Sequence, residues 1–220
     1  MSRFIIILFV LFPLLAHAKP ILSFNGFKWD THISTIKKAH KSHRDLGLET
    51  DFRGYFLSYD FEDTNGKGEY LGEYPLKRKT FYFKDGCKND LAKCLLETGI
   101  YTLANPANVD LYELFSQYEA VYTYIGATVQ PHNYRLDGMR DLPAKKNRYV
   151  FEGNYGGAVI IETLTPSRDD RSIIVRRDYY KGVVQQVTIK YLNRENGLPH
   201  IKSVKKLLRN TKSINKVNDF

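Results

Sequence analysis

The chain is poor in the residues and runs that announce a function. It holds only two cysteines, Cys87 and Cys94, among 220 residues. Their C-x6-C spacing is not the C-x-x-C of a redox centre, and two thiols do not make a thiolate metal site. No H-E-x-x-H or G-x-S-x-G is present, so the zinc-hydrolase and nucleophile-elbow signatures are missing. The glycines around Tyr155 are followed by no Lys-Ser/Thr, which excludes a phosphate loop. There is no Pro/Ser-rich linker and no low-complexity block. The longest apolar run, Phe4 to Ala16, is shorter than the roughly 20 residues that span a bilayer.

What that run does resemble in layout is an export signal. Arg3 gives the positive start, the apolar stretch follows, and Ala16-His17-Ala18 supplies small residues at the cleavage positions. The expectation is removal of residues 1–18 and a mature chain from Lys19, periplasmic or secreted. No cysteine stands just after the signal, so no lipoprotein-type anchor is expected.

The mature sequence would carry 32 basic and 24 acidic residues, a net charge of +8. Inside a cell that balance would raise nucleic acid as a partner. Export removes nucleic acid from consideration and leaves lipid headgroups, lipopolysaccharide, peptidoglycan carboxylates and acidic proteins. Tyr (16) and Phe (13) far outnumber Met (2) and Trp (1), and aromatic residues of this kind favour pleated sheet.

In an oxidising compartment the two cysteines are expected to pair. In one continuous helix they would lie about 10 Å apart along the axis, beyond the roughly 7 Å that a disulfide tolerates. Residues 87–94 must therefore turn back, with Cys87 outside any short helix that holds Cys94.

One loose pattern occurs twice: a helix, then strands. The first helix is expected from a cap at Asp30 or Thr31, with Ile33, Ile36, His40 and His43 on one face and a stop at Gly47. A strand follows at 55–62. Tyr55, Leu57, Tyr59 and Phe61 alternate there with Phe56, Ser58, Asp60 and Glu62. A turn at 63–68, strands at 69–74, 78–84 and 98–103, and the disulfide loop from Asp85-Gly86 complete the first unit. The second helix is expected after Pro106 with Asn108 as its cap. Leu111, Leu114, Phe115 and Tyr118 form its apolar stripe, and Gly126 and Pro131 end it or follow its end. Strands at 148–152, 158–164, 172–179 and 183–191 come next, then a basic amphipathic helix over 201–210.

The segment Phe24-Asn25-Gly26-Phe27-Lys28-Trp29-Asp30-Thr31, leading into an amphipathic helix and then strands, resembles small periplasmic helix–strand–strand proteins. The SmpA/OmlA lipoproteins and the β-lactamase inhibitor proteins share that architecture. The resemblance covers residues 24–103 best, through strands 55–61 and 81–83, and 108–191 loosely. It implies protein binding and carries no functional residue across. The lipobox cysteine of the SmpA/OmlA lipoproteins is absent here.

The remaining candidates are weak as chemistry. His32, His40 and His43 lie near Ile33 and Ile36, which makes packing a better role than metal ligation. The stretch 60–69 fails as an EF-hand: with Gly66 at position 6, Phe61 and Gly72 fall at positions 1 and 12. Basic clusters stand out more: Lys37/Lys38/Lys41, Lys77-Arg78-Lys79, Lys145-Lys146/Arg148, Arg176-Arg177, and Lys202/Lys205/Lys206/Arg209.

The sequence is thus read as α+β. It comprises the signal (1–18), a first helix–strand unit (19–103), and a second unit with a basic C-terminal helix (104–220). These form two helix-plus-antiparallel-sheet units, or one continuous sheet with helices on one face. The expected function is non-enzymatic: an exported binding protein for another envelope protein or an anionic envelope component, with no cofactor, no metal and no transmembrane segment after cleavage. An inhibitor or immunity protein, and an envelope enzyme without a local motif, are the alternatives. Cys87 and Cys94 are assigned to a structural disulfide. Lys202, Lys205, Lys206 and Arg209 are the candidate partner-binding residues.

Overall fold

A computed structural model describes residues 18–40, 45–51, 54–61, 68–134, 142–154, 156–166, 184, 186–193 and 206. Residues 1–17 of the expected signal, 63–67 of the turn expected at 63–68, the strand expected at 172–179 and nearly all of the C-terminal helix lie outside these residues.

The fold is α+β and mostly sheet. Its elements are β1 (Ser23–Phe24), β2 (Phe27–Lys28), α1 (Ile33–Ala39), β3 (Asp45–Asp51), β4 (Gly54–Asp60), β5 (Tyr70–Leu71), β6 (Tyr74–Phe83) and β7 (Leu96–Leu103). They continue as α2 (Leu111–Glu119), β8 (Thr123–Tyr134), β9 (Leu142–Glu152), β10 (Ala158–Pro166) and β11 (Gln186–Leu192). Apart from the β1–β2 hairpin, the strands form one antiparallel sheet in the order β3-β4-β6-β7-β11-β10-β9-β8, with β5 on β6. The last strand, β11, inserts between β7 and β10 and so joins the strands of both stretches into a single sheet.

Local chemistry explains most element ends and corrects several expectations. The cap of α1 is His32, not Asp30 or Thr31: its ring Nδ1 accepts from the Ser34 N–H. The helix stops at His40, well before Gly47, which lies in β3. The cap of α2 is Asp110, whose carboxylate accepts from the Glu113 N–H, while Asn108 ends a short 3-10 turn. Of their two expected roles, Gly126 and Pro131 take the second: they follow the end of that helix and do not terminate it. They lie inside β8, with a register shift between Tyr124 and Gly126. Pro131 is tolerated because β8 is an edge strand, where a missing N–H need not break a ladder.

Leu57, Tyr59, Phe81, Phe83, Leu103, Ile161 and Ile189 are buried in one main core, together with Ile36 of α1 and Leu114 and Tyr118 of α2. Leu111 and Phe115 pack against it partly buried. The β1–β2 hairpin joins this core through an Asn25-Gly26 turn with positive φ at both residues, the signature of a two-residue hairpin. It delivers Phe24 onto β7 at Gly99. There Phe24 meets Phe81, Tyr101 and Tyr191, with ring centroids 5.2, 4.5 and 5.7 Å away. A side chain on Gly99 would begin about where that ring lies, since an added Cβ would fall 1.9 Å from Phe24.

Cys87 and Cys94 form a disulfide with Cα atoms 4.3 Å apart. Two short 3-10 turns, Asp85–Lys88 and Leu91–Lys93, fold the segment back on itself. Both cysteines are buried. Replacing both by Ser is expected to lower stability by about 2–3 kcal/mol, the loop-closure value for so short a ring. Thermal unfolding of the double variant, against wild type with and without reductant, checks this. Identical melting of all three would show that the bond adds nothing.

Candidate functional site

Alternation along the strands puts a second set of side chains on the face opposite Leu57, Tyr59 and Phe81. Register lines them up in rows across the sheet. One row reads Asp60–Arg78–Thr102–Thr188–Glu162–Arg148. The next reads Ser58–Thr80–Ile100–Lys190–Ile160–Val150. A third begins Phe56–Tyr82–Thr98. Most of these side chains line a trough of about 480 Å³, within the usual range for ligand sites, while Val150 and Ile160 are buried in a second apolar cluster.

The trough is charged and unbalanced. Among the described residues, Arg78, Lys146, Arg148 and Lys190 line it against one carboxylate, Glu162. Glu162 is 6% exposed and is gripped from two sides, by Arg148 Nε and by Lys190 Nζ. Burial alone would push its carboxyl up. Lys190 and Arg148 together more than reverse this, so Glu162 sits below the usual carboxylate value. Arg78 pairs with Asp60 through Nε and Nη2, the latter bond 2.9 Å long. Counting Asp60, the trough keeps an excess of two positive charges. Lys146 stands across from Gln130 and Leu164, with no carboxylate opposite. The imidazole of His132, at the same end, is pushed below its usual value, first by desolvation and then by Lys146.

Beside the charges lies an uncharged half. Phe56 and Tyr82 are cross-strand partners with ring centroids 5.2 Å apart. Ser58 and Thr80 share a hydroxyl hydrogen bond of 3.2 Å.

The run Lys77-Arg78-Lys79, expected as one basic cluster, is split by the pleat. Lys77 is exposed, Arg78 faces the trough, and Lys79 is 1% exposed in the core. There Lys79 Nζ reaches Glu69 Oε2 and His40 Nε2. The His40 Nδ1 lies 2.9 Å from the Ile36 carbonyl, which can only accept. Nδ1 therefore carries the proton and Nε2 accepts from Lys79. Burial pushes the Lys79 ammonium below its usual value, against the pull of Glu69.

The histidines thus have structural partners. His32 caps α1, and its Nε2 donates to the Leu91 carbonyl at 3.0 Å. His40 stacks on Tyr59, and His43 lies outside the described residues. Among the described residues no three His, Cys, Asp or Glu side chains gather as a metal site, and no helix is long and apolar enough to cross a membrane. Of Lys202, Lys205, Lys206 and Arg209, only Lys206 is described, and it is exposed.

Sequence reading missed the trough because its members come from seven strands. The local signal was the polar half of each alternation: Ser58 and Asp60, Arg78 and Thr80, Lys146 and Arg148, Thr188 and Lys190. Their convergence depends on strand order, which alternation does not encode. Comparison with family models, curated proteins and solved structures gave no match.

Proposed function

We propose that the protein is a non-enzymatic binding protein, exported to the periplasm or beyond, that holds an anionic component of the cell envelope in the trough. The observation that carries this reading is the charge imbalance: among the described residues, Arg78, Lys146, Arg148 and Lys190 meet Glu162 in a single concavity with Asp60 beside it, an excess of two positive charges. On this reading the two helices back the sheet on the other face, and the trough is the presenting surface. The C-terminal positions Lys202, Lys205, Lys206 and Arg209 would add to the positive field.

An enzymatic reading has less support. Glu162 is ionised and held by two cations, so it is a poor proton acceptor. His132 is level with Ala144 while Glu162 is level with Arg148. Four residues along a strand separate the two backbones by roughly 13 Å, and the side chains that grip Glu162 are Arg148 and Lys190.

The test is equilibrium binding of the purified protein to peptidoglycan fragments and to lipopolysaccharide, with a neutral glucan as control. Binding to at least one anion is expected to weaken as salt rises from about 0.1 to 1 M, where screening shortens from about 10 Å to 3 Å. Lys146→Glu should weaken it roughly tenfold, about 1.4 kcal/mol, with thermal unfolding unchanged. Anion binding that ignores both salt and Lys146→Glu, or no anion binding at all, would overturn the proposal.

A further inference from the structure

We infer that the trough recognises a short acidic saccharide: sugar rings bearing a carboxylate or phosphate. This rests on the anion-binding reading above and narrows it by what stands beside the charges. Three chemically distinct zones follow one another across the same face.

The first zone is aromatic. Phe56, half-buried, and its cross-strand partner Tyr82, 6% exposed, line one corner of the trough, with Phe56 the more open of the two rings. The second is a strip of hydroxyls, with Ser58 and Thr80 next to Thr102 and Thr188 in the adjoining rows. The third is cationic: Arg148 and Lys190 hold Glu162 from two sides, and Lys146 stands two residues beyond Arg148 on β9. Tyr82 and Lys190 stand two strands and two residues apart. That offset is roughly 12 Å between backbones, a span suited to a ligand of about two rings.

Each simpler ligand leaves one zone unused or penalised. An inorganic anion would satisfy the cations and ignore the aromatic pair. A hydrocarbon chain would cover the aromatic corner but would take water from the part-exposed Thr102 and bring no hydrogen-bonding group in return, which is unfavourable. A sugar ring offers both kinds of surface. Its C–H face is apolar and packs on an aromatic ring, while its hydroxyls donate and accept as Ser and Thr hydroxyls do. An acidic substituent would then reach Lys146 or Lys190 in a charge-assisted hydrogen bond, the stronger kind. Arg148 is held in place by Glu162, so the cationic corner is ordered before a ligand arrives.

The experiment is calorimetric titration of the protein with five probes. These are a hyaluronan disaccharide carrying a carboxylate, trehalose 6-phosphate, neutral trehalose, inorganic phosphate and laurate. At least one acidic disaccharide is expected to bind ten or more times tighter than trehalose, inorganic phosphate and laurate. Which of the two binds tighter assigns the charge to a carboxylate or a phosphate source. Lys146→Gln should cut that affinity about tenfold and leave trehalose binding unchanged. Phe56→Ser should cut binding of the disaccharides and leave inorganic phosphate unaffected. Lys146 is not fully buried, so its variant keeps the test decisive if Phe56→Ser does not fold.

Equal binding of inorganic phosphate and acidic disaccharides would overturn the saccharide inference while leaving the anion reading intact. Preference for laurate would do the same. Failure of every anion, with no effect of Lys146→Gln, would remove both.

Discussion

Phe24→Ala is expected to destabilise the protein by about 3–5 kcal/mol, the range for truncating a large buried aromatic residue. The residue is 1% exposed and touches rings from β6, β7 and β11. It comes from a two-strand hairpin too short to hold itself together, so the core contact is what seats the N-terminal segment. Gly99→Ala is the mirror-image change. Its methyl group would overlap the Phe24 ring, and overpacking of this kind costs about 1–3 kcal/mol.

The two changes should not add. In the Phe24→Ala background the ring is gone and the Gly99→Ala methyl has room, so its cost should fall towards zero. A double-mutant cycle by urea unfolding measures that coupling. A Phe24→Ala cost below about 0.5 kcal/mol, as at surface sites, would mean that the hairpin does not plug the core. Strict additivity would mean that Phe24 does not sit on Gly99.

Glu162→Ala is the second large effect, expected at about 2–4 kcal/mol near neutral pH. Breaking a buried ion pair by removing one partner costs about 3–5 kcal/mol, because the other charge is left without its partner. The lower figure applies here because the Arg148 and Lys190 side chains are 26% and 17% exposed and regain some water. The pH dependence has a definite sign. The folded carboxyl titrates below its ordinary value of 4.5, so the unfolded chain takes up the proton first as acid is added. The stabilisation is therefore complete above that ordinary value and is lost as pH falls through the lower, folded value. Wild type and variant should differ most near pH 7 and converge in strong acid. A stability difference that is the same at pH 7 and at pH 2–3 would show that the Glu162 charge is not what the two cations hold.

These two sites differ in how much of them the sequence makes visible. The plug was half legible. Asn25-Gly26 between Phe24 and Phe27 is a hairpin signal, and the aromatic run around it drew attention to the segment, but nothing local says that Gly99, far along the chain, is the seat. The charge cluster was less legible still. Glu162 reads as a lone acidic residue in an apolar strand, and Arg148 as one of several scattered basic residues.

By itself the sequence determined what depends on near neighbours. Period-two alternation in 55–61 separates a core face from a trough face because successive side chains on a strand point opposite ways. The 3.6 period in 111–118 picks out Leu111, Leu114, Phe115 and Tyr118 as the inward stripe, of which Leu114 and Tyr118 are buried and Leu111 and Phe115 partly so. Six residues between two cysteines force the chain to double back before they can bond. Only the tertiary structure decided strand order. The insertion of β11 between β7 and β10 sets Lys190 beside Glu162 and Thr188 beside Thr102, and it makes one sheet of strands from both stretches. It also decided that Lys79, in a run of three basic residues, lies in the core with Glu69 and His40. The physical reason is the same in each case. Backbone hydrogen bonds between strands carry no side-chain identity, so which strand pairs with which is settled by the burial of the whole apolar face, to which each segment contributes only a part.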